Sequence, residues 1–495
     1  LTASDPDKRE PDMALIGAYV RSRDFDKALA AAETLIRKAP SSPVAYNAKG
    51  VVLLAKGDLK GARPAFEKAL ATDPAFTTAQ YNLARLDALE RNFAAAKKRY
   101  DELLAKDPKA ERALMGIAET LVANDAPTAE VAAALQRAVT ANPDSVAPRL
   151  ALVSHLGRQK DWKAALAAAQ AAQAAIPDTP QVLEALAVTQ QASGELNQAI
   201  ESYTRLARFQ PDNPLPLMRI AGIQAGLKNP AAAVASLKSA LAVAPDNSTI
   251  WIALAAAYRE ANQVDAGFAD ARRLQKDQPK AAAGFALEAE LLAGQKQYAE
   301  AATAYRAALA RQQLPFSVIR QHALLVLLGK GDEAQGVAQK WLKDHPKDVP
   351  VRAYLAQENL AKGDFKAAVP LFRAAVDNDP DNVVLLNNLA WSMSEINDPK
   401  ALQYAERAYR IAPNVSEVAN TYGWILVERG DAVQGIKLLR RAVEMSPTDA
   451  EKRLRLGKAL AKTGDKTGAR QEFELAMKSE SPTTRAQAEQ LLKTL

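Results

Sequence analysis

Apolar residues recur along this chain at the i, i+3, i+4, i+7 spacing of one helix face. No stretch alternates with period two over a useful length, so strands are not expected. The stretch 416–447 shows the unit most clearly. Val418, Ala419, Tyr422, Gly423 and Leu426 form the stripe of a first short helix. Gly430 is placed to end it, since glycine takes the left-handed cap conformation without a Cβ penalty. Asp431 follows as a short acceptor able to cap the next helix. Ile436, Leu439, Ala442 and Val443 make the second stripe, and Pro447 stops it because proline neither donates nor continues a helix. The pattern predicts two short helices joined by a tight turn.

This hairpin returns about every 34 residues, and the prolines mark the period. Pro40, Pro74, Pro108, Pro143, Pro177, Pro211, Pro245 and Pro279 stand 34 or 35 residues apart. A gap of 67 with one proline missing leads to Pro346, then Pro380, Pro413 and Pro447 at 33 or 34. With the proline as position 32, position 20 is alanine in eleven of the fourteen repeats, among them Ala28, Ala62, Ala96 and Ala469. Position 24 is often aromatic: Phe66, Tyr100, Tyr203, Tyr305, Phe372, Phe473. Positions 7 and 8 read Leu83-Ala84, Leu186-Ala187, Leu389-Ala390 and Leu456-Gly457. Small residues let two helices approach, and the large one fills the space beside them. A 34-residue helix–turn–helix period resembles the tetratricopeptide repeat (TPR). That resemblance implies an all-α, right-handed superhelical solenoid of about 14 repeats, growing by stacking with no size limit on one core.

The expected organisation is a lead-in over 1–8, repeats 1–9 over 9–314, repeats 10–14 over 315–483 and a solvating C-terminal capping helix over 484–495. Asp144-Ser145, Asp212-Asn213, Asp246-Asn247 and Asp381-Asn382 stand where the next helix needs amide acceptors. Three places leave the register. Repeat four carries an extra residue around Asn124–Pro127, and repeat twelve is one short near Asn397–Pro399. Repeat nine lacks its proline; a stack rigid throughout is the favoured expectation, and 311–317 is the place where it would flex if it does.

Composition narrows the chemistry. There is no cysteine, hence no disulfide, zinc knuckle or thiol nucleophile. The net charge of +7 comes from 64 basic and 57 acidic residues spread through every repeat. A run such as Lys97-Lys98-Arg99 therefore reads as a solvated helix face, and nucleic acid is not an expected partner. Uncharged stretches such as 164–177 fall short of the ~20 residues a membrane span needs, so no transmembrane segment is expected. The chain opens at Leu1 without methionine, compatible with a targeting segment upstream.

Catalytic and metal patterns are not found. His155, His322 and His345 fall in different repeats, too far apart for a common metal site. Gly464-Asp465-Lys466-Thr467 lacks the glycine and leading strand of a phosphate loop, and Gly329-Lys330-Gly331 is likewise a turn. Arg429-Gly430-Asp431 fills the same turn slot as Lys362-Gly363-Asp364. The expectation is a protein without enzymatic activity and without a cofactor.

Binding is what remains. In the TPR superhelix, positions 2, 5, 9 and 12 of each first helix line the concave groove. A charge clamp for acidic peptide tails would need Lys and Asn at fixed places in three consecutive repeats. Asn82 and Asn388 occupy the middle place, but Asn47 and Val51, or Ala353 and Gln357, do not match beside them. Repeats twelve and thirteen instead carry Asn387 and Trp391, then Asn420 and Trp424, at positions 5 and 9, with Lys458 at position 9 one repeat later. Two Asn-x-x-x-Trp pairs on adjacent helices would form an amide–indole ladder. Indole offers a flat face to a sugar ring or peptide side chain, and the amide both donates and accepts. The same indoles could instead pack as ordinary core between neighbouring helices. Both readings stand.

The C-terminal block is more specific. Leu386-Asn387-Asn388-Leu389-Ala390-Trp391, Tyr404–Ala408, Thr421–Val427, Leu460–Asp465 and Ala488–Leu492 resemble the TPR-repeat lipoproteins of PEP-CTERM/exosortase systems, the PrsT family. The likeness covers about 382–495. It implies a periplasm-facing scaffold, anchored at the outer membrane through an upstream lipoprotein segment, in exopolysaccharide production and biofilm matrix export. Its partners would be other proteins held in the groove, with polysaccharide as a further ligand. The other readings are a cytosolic peptide-binding cochaperone and the TPR part of a longer enzyme such as a glycosyltransferase.

Overall fold

The computed structural model describes residues 10–495; the lead-in over 1–8 lies outside the described residues. Among the described residues every regular element is helical. Twenty-nine α-helices, numbered in chain order, run from α1 (Glu10–Arg21) to α29 (Pro482–Lys493). Each odd-numbered helix opens a repeat and the next closes it, giving fourteen hairpins before α29. Contacts group them into two compact units, one ending at Ala244 and one spanning Pro245–Leu495. The first closes with α14 (Pro230–Val243) and the second opens with α15 (Ser248–Glu260), so each holds seven hairpins.

Turn chemistry sets the hairpin. Asp58 accepts a hydrogen bond from the Gly61 amide at 2.8 Å, and Asp24, Asp161, Asp364, Asp431 and Asp465 repeat that cap. The residue before the cap turns left-handed, with φ of 87° at Gly57 and 94° at Gly430. Lys160 and Asn262 take the same conformation at φ 59° and 53° in turns without glycine, so the hairpin imposes it against local preference. The expected helix-start caps are mixed. Asn247 and Asn382 accept from the amides of Thr249 and Leu385. Ser145 makes no side-chain cap, and Asn213 reaches the Leu215 amide from one residue before the helix boundary.

The small–large code builds the core of both units. Every alanine at position 20 is buried, from Ala28 to Ala469, and Phe66, Tyr203, Tyr305, Phe372 and Phe473 are at most 2% exposed. A Cβ on Gly50 would fall 2.4 Å from the Phe66 ring, and one on Gly457 equally close to Phe473. The aromatic ring of the second helix thus lies directly on the small residue of the first. Repeat thirteen goes further. In α25 (Ser416–Glu428) and α26 (Ala432–Met445), a Cβ on Gly423 would sit 2.8 Å from the Gly435 carbonyl oxygen. Because backbone cannot yield as a side chain can, Gly423→Ala should destabilise the C-terminal unit by about 1–3 kcal/mol. The denaturant midpoint of the purified variant measures this.

The departures from register fall in turns. The extra residue of repeat four lies before α8 (Thr128–Ala141), and the short repeat twelve closes with an α24 (Ala401–Ile411) of 11 residues. Gln312–Leu314 joins α18 (Tyr298–Arg311) to α19 (Pro315–Leu327), which pack together, with Phe316 edge-on to Tyr305 at 6.2 Å. The C-terminal helix starts earlier than 484, at Pro482, and does more than solvate. Thr484 and Ala488 are buried, and Leu491 and Leu492 pack on the core of the last repeats.

Candidate binding cleft

Three first helices and the final helix enclose one cleft within the C-terminal unit. α23 (Val383–Glu395) carries Asn387 and Trp391, and α25 carries Asn420 and Trp424. α27 (Ala450–Lys462) carries Arg455 and Lys458, and α29 closes the far side with Thr484 and Gln487. Four residues bring a helix round by slightly more than one turn, so each Asn shares a face with its Trp. The cleft is about 530 Å³ and is lined by both indoles, Arg455, Lys458, Glu395 and Glu451. A neighbouring hollow of about 330 Å³ shares Glu395 and Trp424.

The indoles do not stack on each other through open space. The Arg455 guanidinium lies over Trp391 at 4.3 Å from the ring centroid and reaches Trp424 at 6.0 Å. Such stacking suits the planar, weakly hydrated guanidinium. Burial lowers the Arg455 pKa, while Glu395, Glu451 and Asp449 pull it the other way from beyond ion-pair distance. Among the described residues Arg455 makes no hydrogen bond and no ion pair. Lys458 is exposed at the rim.

Polar satisfaction is incomplete here. The side-chain oxygens of Asn387 and Asn420 are both buried and accept no hydrogen bond. Asn387 donates only a long 3.5 Å contact to Asn388. Buried polar atoms in folded proteins are nearly always paired, so two orphans at equivalent positions of adjacent repeats are exceptional, although neither lines the cleft. Both indoles are half-buried, and Trp424 also leans on the core cluster of the last repeats.

Family models for the tetratricopeptide repeat match residues 14–77, 150–214 and 324–392, and a second such model matches 53–119 and 426–495. The chain belongs to the tetratricopeptide repeat family. No curated protein matches it. Among solved structures, a chain of Naa15/Naa10 bound to HypK-THB is similar at 12% identity and a TM-score of 0.54, covering 96% of this chain and 90% of that one. Yeast Tom70 is similar at 14% identity and a TM-score of 0.39, covering 93% and 97%. At such identity the Naa15/Naa10 likeness shows the fold alone.

A second TPR cluster in the N-terminal unit supplies the contrast. There Asn82 donates to Asn47 at 2.7 Å, and Arg112 donates to Asn82 at 3.3 Å while stacking on Tyr81 at 4.4 Å. That amide–arginine–aromatic set satisfies itself. The C-terminal set leaves its two amide oxygens buried and unpaired and its guanidinium without a hydrogen bond or ion pair.

Of the five residues singled out in the sequence, the two indoles and Lys458 line the cleft, whereas Asn387 and Asn420 do not: they lie one turn before the indoles with their side-chain oxygens buried. Arg455 was missed, because it stands at position 6, outside the positions assigned to the groove. An arginine one turn along from Glu451 and beside Lys458 was the only signal of it. The wall from α29 had no sequence signal.

The three histidines serve separate places. His155 Nε2 lies 3.1 Å from the Thr128 carbonyl oxygen, and His345 stacks on Trp341 at 3.9 Å. His322 faces a different cavity. Among the described residues no group of three or more His, Asp or Glu could hold a metal ion, and no helix is long and apolar enough to cross a membrane.

Proposed function

We propose that this chain is a non-catalytic scaffold that holds a segment of a partner protein in the C-terminal cleft. The single observation carrying the proposal is the unpaired Arg455 guanidinium held against Trp391 in the cleft. A peptide segment supplies what it lacks. A carboxylate of the segment pairs with Arg455 and Lys458, and its apolar side chains lie against Trp391 and Trp424. The setting we propose, exopolysaccharide assembly or export on the periplasmic side, rests on the likeness of residues 382–495 to the PEP-CTERM-associated TPR lipoproteins. The two indoles also favour a second reading, in which the cleft takes an acidic polysaccharide.

Titration with fluorescein-labelled acidic peptides, followed by anisotropy, tests the first reading. Arg455→Ala should weaken binding tenfold or more, about 1.4 kcal/mol. Trp391→Ala with Trp424→Ala should weaken it further. A large loss of thermal stability with unchanged binding would return the indoles to the core and defeat the cleft. Binding of an oligouronate but not of peptides would select the second reading.

A further inference from the structure

Repeat ten carries polar side chains at two positions that other repeats fill with apolar ones. Position 27 is alanine or leucine in the thirteen other repeats, and here it is Trp341 on α20 (Gly331–Asp344). Position 7 holds Leu83, Leu186, Leu389 and Leu456 in their repeats, and here it is Gln321 on α19. Both are buried, Trp341 at 5% exposed and Gln321 at 2%. Neither polar group is matched. Trp341 Nε1 is buried with no acceptor, and among the described residues the Gln321 amide makes no hydrogen bond. Such groups are rare in folded chains, because a buried donor or acceptor left unmatched costs the hydration it has lost.

The two side chains line one cavity of about 350 Å³, bounded by α18, α19 and α20. It opens beside Gln312–Leu314, the segment that replaces the closing proline of repeat nine. Leu309, Val318 and Val337 supply its apolar walls. Arg306, Lys340 and Asp344 also line it and are exposed to solvent, and among the described residues none of the three makes an ion pair or a side-chain hydrogen bond. The size falls within the range of small-molecule sites. The chemistry is one-sided: the guanidinium, the ammonium and the Gln321 amide nitrogen all donate, and two positive charges face a single carboxylate.

We propose that this cavity binds a small monocarboxylate with a short apolar stem. The carboxylate accepts from Gln321 Nε2 and pairs with Arg306 and Lys340, and the stem lies against the Trp341 ring, Leu309 and Val318. Charge-assisted hydrogen bonds in a half-enclosed site favour a ligand that brings an anionic acceptor over one that brings none. Asp344 offsets one of the two cations, so the surplus matches one carboxylate and not two. The site is separate from the cleft of the last three repeats and does not rest on what that cleft holds.

Hydrocinnamate is the probe, titrated by calorimetry into the full chain carrying Arg455→Ala, which removes the buried cation of the other cleft. Hydrocinnamyl alcohol, with the same stem and no charge, runs beside it. The acid should bind, and the alcohol should bind at least tenfold more weakly. Gln321→Leu sets the residue that Leu83 and Leu389 provide in their repeats, and should weaken the acid at least tenfold while keeping or raising the melting temperature. Arg306→Ala with Lys340→Ala alters only exposed side chains, and should bring the acid down to the level of the alcohol. The Trp341 indole N–H resonance, identified by its loss in Trp341→Phe, should shift as the acid is added. No binding of the acid, equal binding of the alcohol, or an unmoved Trp341 resonance overturns the proposal. So does unchanged affinity for the acid in either folded variant.

Discussion

Phe372→Ala should lower the stability of the C-terminal unit by about 3–5 kcal/mol, read as a fall in denaturant midpoint with little change in slope. Phe372 is 1% exposed and lies in a cluster with Ala356, Leu386, Leu389 and Ala390. Truncation removes its transfer free energy and leaves a hole between repeats eleven and twelve. The surrounding helices are tied by their own hairpins and cannot collapse to fill it. Phe372→Leu should recover more than half of the loss, since most of the volume returns. A loss below 1 kcal/mol for the alanine variant would mean that the repeats stack less tightly than their burial indicates.

Arg320→Ala is expected to cost about 3–5 kcal/mol, because it strands a buried carboxylate. Glu290 lies on α17 (Ala283–Gly294) with its side chain 8% exposed. It accepts from Arg320 Nε at 2.7 Å and from Nη2 at 3.0 Å, and also from the Tyr305 hydroxyl. Burial of Tyr305 beside this carboxylate pushes its phenol pKa far up, so the hydroxyl stays a donor. Without Arg320 the charge keeps only that one neutral donor. Removing both partners as Glu290→Leu with Arg320→Leu should cost less than Arg320→Ala alone, because no charge is then left unpaired. Thermal melts of the three variants decide it. A double variant worse than the single would show the pair to be a net source of stability.

This triad joins repeats nine and ten, where the closing proline is missing. The 34-residue register gave no hint of it, for Glu290, Tyr305 and Arg320 are spread over three helices and read individually as surface or core. Arg455 escaped for a related reason. Its position is not among those that line the groove in the repeat, and only the neighbouring repeats show that a long side chain there can reach to Trp391.

By itself the sequence determined the hairpin, its repetition fourteen times, the capping aspartates and, in the repeats that carry a ring at position 24, the small–large pairing that packs the first helix on the second. These are local: they depend on residues within one period, and the 3.6-residue spacing, proline and glycine express them directly. It also placed Asn387, Trp391, Asn420, Trp424 and Lys458 along one line of the stack. The tertiary structure alone decided which of those polar groups are satisfied and which are left open. It set the Arg455 guanidinium against the indoles and brought α29 over the cleft. Those outcomes depend on the rotation and separation of one repeat against the next. That relation is fixed by the sum of many contacts across the interface, and no single period of the sequence contains both sides of it.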